Sequence, residues 1–129
     1  MVASSRPDLA RPDAIREPDA RVGLSVEQPG YLRFAANSTK LSAASRAMLD
    51  RLVPLLKGAT GVVRVEGHAD RQEKNTAVLS LRRAQRVQDY LVKHGVPARQ
   101  LRAAGYAATR PLGPGENRRV ELSGLPAEY

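Results

Sequence analysis

The stretch GVVRVEGHADRQEKNTAVLSLRRAQRVQDYLVKHG (61–95) changes its hydrophobic period once, and that change decides the fold. Its first residues alternate, with Val63 and Val65 on one side and Arg64 and Glu66 on the other, which predicts a strand with one buried face. Further on, Ala84, Val87 and Leu91 recur at helical spacing. They predict a helix capped by Asn75 or Thr76, running to about His94 and stopped by Gly95.

Toward the N-terminus, GYLRFAA (30–36) puts Leu32 and Phe34 on one face of a short strand. In KLSAASRAMLDRLVPLLKG (40–58), Leu41, Met48, Leu52 and Leu55/Leu56 mark a helix with Gly58 as its stop. Pro54 lies inside that pattern and is expected to kink or loosen the last turn, since an interior proline costs about 3 kcal/mol. Toward the C-terminus, VPARQLRAAGYA (96–107) reads as a turn and a short strand around Leu101–Ala104. NRRVELSG (117–124) alternates Val120 and Leu122 with Arg119 and Glu121. The order strand, helix, strand, helix, strand, strand predicts an α+β domain over 28–124, with helices on one face of a mixed four-stranded sheet and crossing between parallel neighbours.

Flanking this domain, SRPDLARPDAIREPDARVG (5–23) repeats a Pro-Asp step at Pro7, Pro12 and Pro18 without apolar periodicity. Residues 1–27 are therefore expected to be a flexible tether, the alternative being an ordered arm through Leu9, Ile15 and Val22. Residues 125–129 form a short tail.

Composition narrows the function. The 129 residues are 42% hydrophobic, enough for one modest core, and contain no cysteine, which removes disulfides and thiolate metal sites. No run is long and apolar enough to span a membrane, and the N-terminus lacks the apolar core of a signal peptide, so any export signal is expected to lie outside this sequence. A net charge of +8 favours an anionic partner. Four tyrosines and one phenylalanine, scattered along the chain, are too few to stack single-stranded nucleic acid.

His68, with Glu66 and Asp70 two residues to either side, invites a metal site. Alternate residues on one strand spread too far to converge on an ion, however, so His68 is read as a hydrogen-bonded structural residue. Ser80 has no histidine and acid predicted beside it, and catalysis is not expected. Among the arginines, Arg82 and Arg86 share a solvated face, while Arg83 is rotated toward the Ala84/Val87 stripe, where a partly desolvated guanidinium needs a carboxylate. Two partners stay open: an internal salt bridge to Asp70 or Glu66, or a ligand gripped between Asp70 and Arg83. The helix N-terminus would add backbone N–H groups for a ligand carboxylate.

From Tyr31 to Leu122 the sequence resembles the OmpA-like C-terminal domain, the peptidoglycan-binding module of outer-membrane protein A, peptidoglycan-associated lipoprotein and the stator protein MotB. The resemblance rests on GHAD (67–70), LSLRRAQRVQDYLVKHGVPARQL (79–101), GYAATRP (105–111) and NRRVEL (117–122), in family order, with FAANSTKLS (34–42) as the first strand and loop. It implies a β-α-β-α-β-β sandwich and a non-enzymatic, cofactor-free module that binds the diaminopimelate of the peptidoglycan stem peptide. By motif match, Asp70 takes the ligand ammonium and Arg83 its carboxylate, with Asn37, Asn117 and Arg118 lining the pocket. The loop RQEKNTAV (71–78) is shorter than usual in the family, has no glycine and places Thr76 where an asparagine is common, with Asn75 as its one-residue-shifted substitute. The short LGPGE (112–116) replaces a longer insertion. The resemblance also implies a periplasmic location, tethered to the inner or outer membrane through an anchor not contained in this sequence, and admits a homodimer. The competing expectations are a basic nucleic-acid-binding domain and an OmpA-like domain that has lost wall binding and serves protein contacts.

Overall fold

The computed structural model describes residues 31–113 and 115–125. The expected tether (1–27) and residues 126–129 of the expected tail lie outside them. Strand β1 (Tyr31–Arg33) leads to helix α1 (Ala43–Lys57), strand β2 (Val63–Gly67) and helix α2 (Thr76–Lys93). A single 3-10 turn (Ala98–Gln100) then enters β3 (Leu101–Gly105), and β4 (Arg119–Ser123) closes the sheet. This is the expected α+β architecture, in the strand order β1-β4-β2-β3. β2 and β3 are parallel, joined by α2, while β4 runs antiparallel to both β1 and β2. Only α2 therefore crosses between adjacent parallel strands; α1 links two strands that have β4 between them.

The core follows the two periods. Val63 and Val65 of β2 and Val120 and Leu122 of β4 meet Met48, Leu49, Leu52 and Leu56 of α1 and Ala84, Val87 and Leu91 of α2. Burying each large aliphatic side chain stabilises the fold by about 1.5–3 kcal/mol before ordering costs. Ser42 caps α1 by accepting from the Ser45 N–H at 3.0 Å. The helix runs on through Pro54 to Lys57, so the proline removes one donor without ending it. At the end of α2, Gly95 takes a left-handed φ of 107°, and the Val96 N–H reaches back to the Leu91 carbonyl at 3.0 Å, closing the helix as the sequence predicts.

Two glycines set the depth at which α2 lies on the sheet. A Cβ on Gly67 would stand 1.9 Å from the Ser80 carbonyl oxygen, and one on Gly105 would stand 2.6 Å from the Leu81 nitrogen. The helix backbone thus rests directly on the ends of β2 and β3. Ser80, fully buried there, donates to the Ala77 carbonyl and accepts from the Ala107 N–H at 2.8 Å, fixing the chain after β3.

The opposite face of the sheet is charged. Glu66 and Glu121 are directly paired across β2 and β4, a like-charge arrangement that is unfavourable unless a cation intervenes. Arg119 is that cation: its Nε donates to Glu121 at 2.5 Å and its Nη2 to the Arg110 carbonyl at 3.0 Å. Although it points away from the helices as expected, Arg119 is 2% exposed, because the chain between β3 and β4 folds over it.

Candidate ligand-binding pocket

Four chain segments converge beyond the end of β2: the loop after β1, the GHAD loop with its continuation to α2, the second turn of α2, and the approach to β4. Arg83 stands at their centre with no exposed surface. Its Nε donates to the Ser38 carbonyl at 2.9 Å, Nη1 to the His68 carbonyl at 3.0 Å and to Glu73 Oε1 at 2.8 Å, and Nη2 to the Ala35 carbonyl at 3.1 Å and to Glu73 Oε2 at 2.5 Å. A guanidinium has five N–H donors, so every one is used. The carboxylate that Arg83 meets is neither Asp70 nor Glu66, the two internal partners the sequence suggests, but Glu73.

Glu73 is equally saturated. Besides the two arginine contacts, Oε1 accepts from the Asp70 N–H at 2.9 Å and Oε2 from the Asn37 N–H at 2.6 Å. Burial alone pushes this carboxyl up, but the Arg83 bond and the two backbone donors outweigh it and hold Glu73 below the usual glutamate range. The backbone donors come from loops, at Asn37 and Asp70, and not from the N-terminus of α2. Asn37 adopts a left-handed φ of 54°, which asparagine tolerates, and its Oδ1 accepts from the Lys74 N–H at 3.0 Å. It thereby ties the first loop to the Glu73 loop.

Asp70 is arranged differently. Its Oδ1 accepts from the Gln72 N–H at 2.9 Å and its Oδ2 from Asn117 Nδ2 at 3.0 Å, while the carboxylate stays in contact with solvent. Those two bonds, the backbone one first, hold its pKa below the ordinary aspartate value, with Arg118 and Arg71 adding to the effect. Each oxygen keeps a lone pair for a cation. Asn117 is itself held by the N–H groups of Leu112 and Gly113 at 2.7 and 3.1 Å, so the short LGPGE loop positions a pocket residue. Arg118 exchanges bonds with Phe34: Arg118 Nε donates to the Phe34 carbonyl and the Phe34 N–H to the Arg118 carbonyl, each at 2.9 Å. Asn75 occupies the N-cap position of α2 with a φ of 50°, but its side chain caps nothing, and Thr76 is the first helical residue.

The structure thus joins Asn37, Asp70, Arg83 and Asn117 into one network through Glu73, sets Arg118 beside it on Phe34, and leaves Asn75 and Thr76 at its margin. Sequence reasoning missed Glu73. The available signal was that Glu73 is a carboxylate in the short loop between Asp70 and α2, close in sequence to an arginine predicted to be desolvated.

His68 departs from its expected role. It is 2% exposed and stacks on Tyr106 at 5.5 Å, yet among the described residues neither ring nitrogen has a hydrogen-bond partner. Glu66, His68 and Glu121 do approach one another within 4.8 Å, with the third member drawn from β4 instead of the Asp70 of the strand-alternation pattern. The positive charge at this cluster is already supplied by Arg119, which neutralises Glu121 and, after burial, is the next cause lowering the pKa of His68. A histidine with a lowered folded pKa binds fewer protons than in the unfolded chain. Stability therefore falls as pH drops below the unfolded value of about 6.5. His68→Phe keeps the stacking, removes the unpaired nitrogens and is expected to abolish that acid-side slope, measured as urea midpoints between pH 7.5 and pH 5.5. A slope unchanged in the variant would assign it elsewhere.

A mixed four-stranded sheet carrying two helices, with an anchored carboxylate and a buried arginine gathered beyond the end of β2, defines an α+β domain with a charged site at one end of its sheet. The chain belongs to the OmpA family, which matches residues 33–121. It is 39% identical over 99 residues to the peptidoglycan-associated lipoprotein of Pseudomonas aeruginosa, covering 69% of this chain and 58% of that protein. It is 37% identical over 84 residues to outer membrane protein A of Yersinia pseudotuberculosis, covering 61% of this chain and 24% of that one. The chain thus spans little more than half the length of the first relative and a quarter of the second. Among solved structures, the peptidoglycan-associated lipoprotein of Burkholderia pseudomallei matches with a TM-score of 0.68 at 22% identity, covering 71% of this chain and 86% of that one. The C-terminal domain of Helicobacter pylori MotB matches with a TM-score of 0.66 at 25% identity, covering 71% and 81%. Among the described residues, no helix is long and apolar enough to cross a membrane.

Proposed function

We propose that this domain binds peptidoglycan non-covalently and, through its N-terminal segment, anchors a membrane-associated protein of the cell envelope to the wall. The observation that carries the reading is the pairing of two chemically opposite sites within one network. Asp70 offers an anchored, solvent-facing carboxylate for an ammonium, and the Arg83 guanidinium with the Asn37 and Asp70 N–H groups forms a cradle shaped for a carboxylate. A stem-peptide diaminopimelate presents an ammonium and a carboxylate on one carbon, the complement of this arrangement. Charge-assisted bonds of about 1.5–3 kcal/mol each give a modest affinity per site, which a polymer with many sites amplifies. The relatives' names, peptidoglycan-associated lipoprotein among them, support the same reading. Nothing in this chemistry calls for a catalytic group. The proposal includes attachment at the inner or outer membrane and admits a homodimer.

Co-sedimentation with purified peptidoglycan tests it. Asp70→Ala removes a solvent-facing group and is expected to keep the fold, as judged by circular dichroism, while the pelleted fraction falls by about tenfold or more in apparent affinity, the equivalent of one lost charge-assisted contact. Wild-type protein that stays in the supernatant, or a folded Asp70→Ala that pellets equally, would refute the proposal. Steep salt-dependent binding to DNA that ignores Asp70→Ala would favour the nucleic-acid reading instead.

A further inference from the structure

The cradle around Glu73 consists of four donors, two from the Arg83 fork and two backbone N–H groups from Asn37 and Asp70. All four address a carboxylate, and none is specific to a glutamate of this chain. Arg83 has no donor left over, and the Glu73 side chain, 4% exposed with each oxygen already accepting two bonds, has little to share. A second carboxylate therefore cannot join the cradle beside the first; it enters by exchange or not at all.

We propose that Glu73 is an intramolecular occupant of the carboxylate half of the pocket, a built-in competitor that an incoming ligand's carboxylate must displace. The inference rests on the reading that the ligand carries both an ammonium and a carboxylate. Local geometry makes exchange feasible. Glu73 is delivered by a tight turn in which its own N–H donates to the Asp70 carbonyl at 2.8 Å, and its neighbours Gln72, Lys74 and Asn75 are exposed, so the side chain can swing out without unpacking the core. Asp70 meanwhile keeps its solvent-facing oxygens whether or not Glu73 is seated. The ammonium half is thus permanently open and the carboxylate half is gated. For a site whose competent state is only fractionally populated, the apparent dissociation constant is the intrinsic one divided by that fraction. Glu73 thereby lowers affinity for a doubly charged end group while leaving recognition of an amine alone unaffected.

Glu73→Ala empties the cradle and leaves a buried guanidinium that an external carboxylate can satisfy. Its thermal midpoint is compared in sodium acetate and in sodium chloride at equal ionic strength, beside wild type, and both proteins are then sedimented with peptidoglycan. The expected results are an acetate-dependent rise in midpoint for Glu73→Ala only, and wall binding roughly tenfold tighter than wild type, the loss of a competitor seated in about nine molecules of ten. A folded Glu73→Ala indifferent to acetate overturns the inference. So does a variant that pellets no better than a wild type that does pellet. Acetate rescue with no pelleting of either protein supports the occupancy while refuting peptidoglycan as the ligand. Should Glu73→Ala not fold in either salt, wild type decides. On addition of meso-diaminopimelate, a Glu73 side-chain carboxyl carbon resonance moving toward that of an exposed glutamate supports displacement, and an unmoved one overturns it.

Discussion

Gly67→Ala is expected to destabilise the domain by more than about 3 kcal/mol, the upper end of ordinary overpacking penalties, measured as the shift in a urea unfolding transition followed by circular dichroism. The added methyl would sit 1.9 Å from a main-chain carbonyl of α2, and backbone cannot rotate aside as a side chain can. Relief requires α2 to lift from β2, and the helix carries Arg83, Ala84 and Val87 with it. Against a typical domain stability of about 5–15 kcal/mol, that is a large fraction. A penalty below about 1 kcal/mol would show that the helix backbone does not rest on β2 as described.

The second large effect is at Arg83. Arg83→Ala leaves Glu73 buried with its charge uncompensated, and breaking a buried ion pair from one side costs about 3–5 kcal/mol. The double variant Arg83→Ala/Glu73→Ala is expected to be less destabilised than the sum of the two singles, because it leaves neither charge stranded; additivity within about 0.5 kcal/mol would show that the two are not coupled. The pair also sets an acid limit. Since the folded-state pKa of Glu73 is lowered, its contribution is complete above the unfolded glutamate value of about 4.3 and is lost as pH falls below that value through the folded one. One practical result is that Arg83→Ala is a poor probe of ligand binding, since loss of binding would follow from loss of structure. The Asp70 side chain, whose described bonds are to Gln72 and Asn117 at the surface, separates the two.

The fold was legible because its elements obey their periods: Val63 and Val65 alternate, Ala84, Val87 and Leu91 recur at helical spacing, and Gly95 stops α2 where a left-handed residue is needed. Strand order was not, since local patterns carry no information about which strand accepts β4. Within the pocket, the rotation of Arg83 away from Arg82 and Arg86 toward the buried stripe was readable from helical geometry alone, and the structure leaves those two exposed while Arg83 has no surface. Its partner was not readable, because Glu73 lies in an aperiodic loop whose turn, fixed by the Asp70 carbonyl and the Asn37 N–H, depends on segments distant in sequence. His68 misled for a related reason. Alternation along one strand could not foresee Glu121 arriving from β4, nor Arg119 supplying the charge.

The strand order has a consequence for how the protein comes into being. Of the described strands β4 is synthesised last, yet it fills the gap between β1 and β2 and delivers Asn117 and Arg118 to Asp70 and Phe34. Until residues 117–123 are free to fold, β1 has no partner strand among the described elements, and the β2–α2–β3 unit stands alone. The Asn117 bond to Asp70 and the Arg118 exchange with Phe34 therefore come late, when Arg119–Ser123 slots between strands already made.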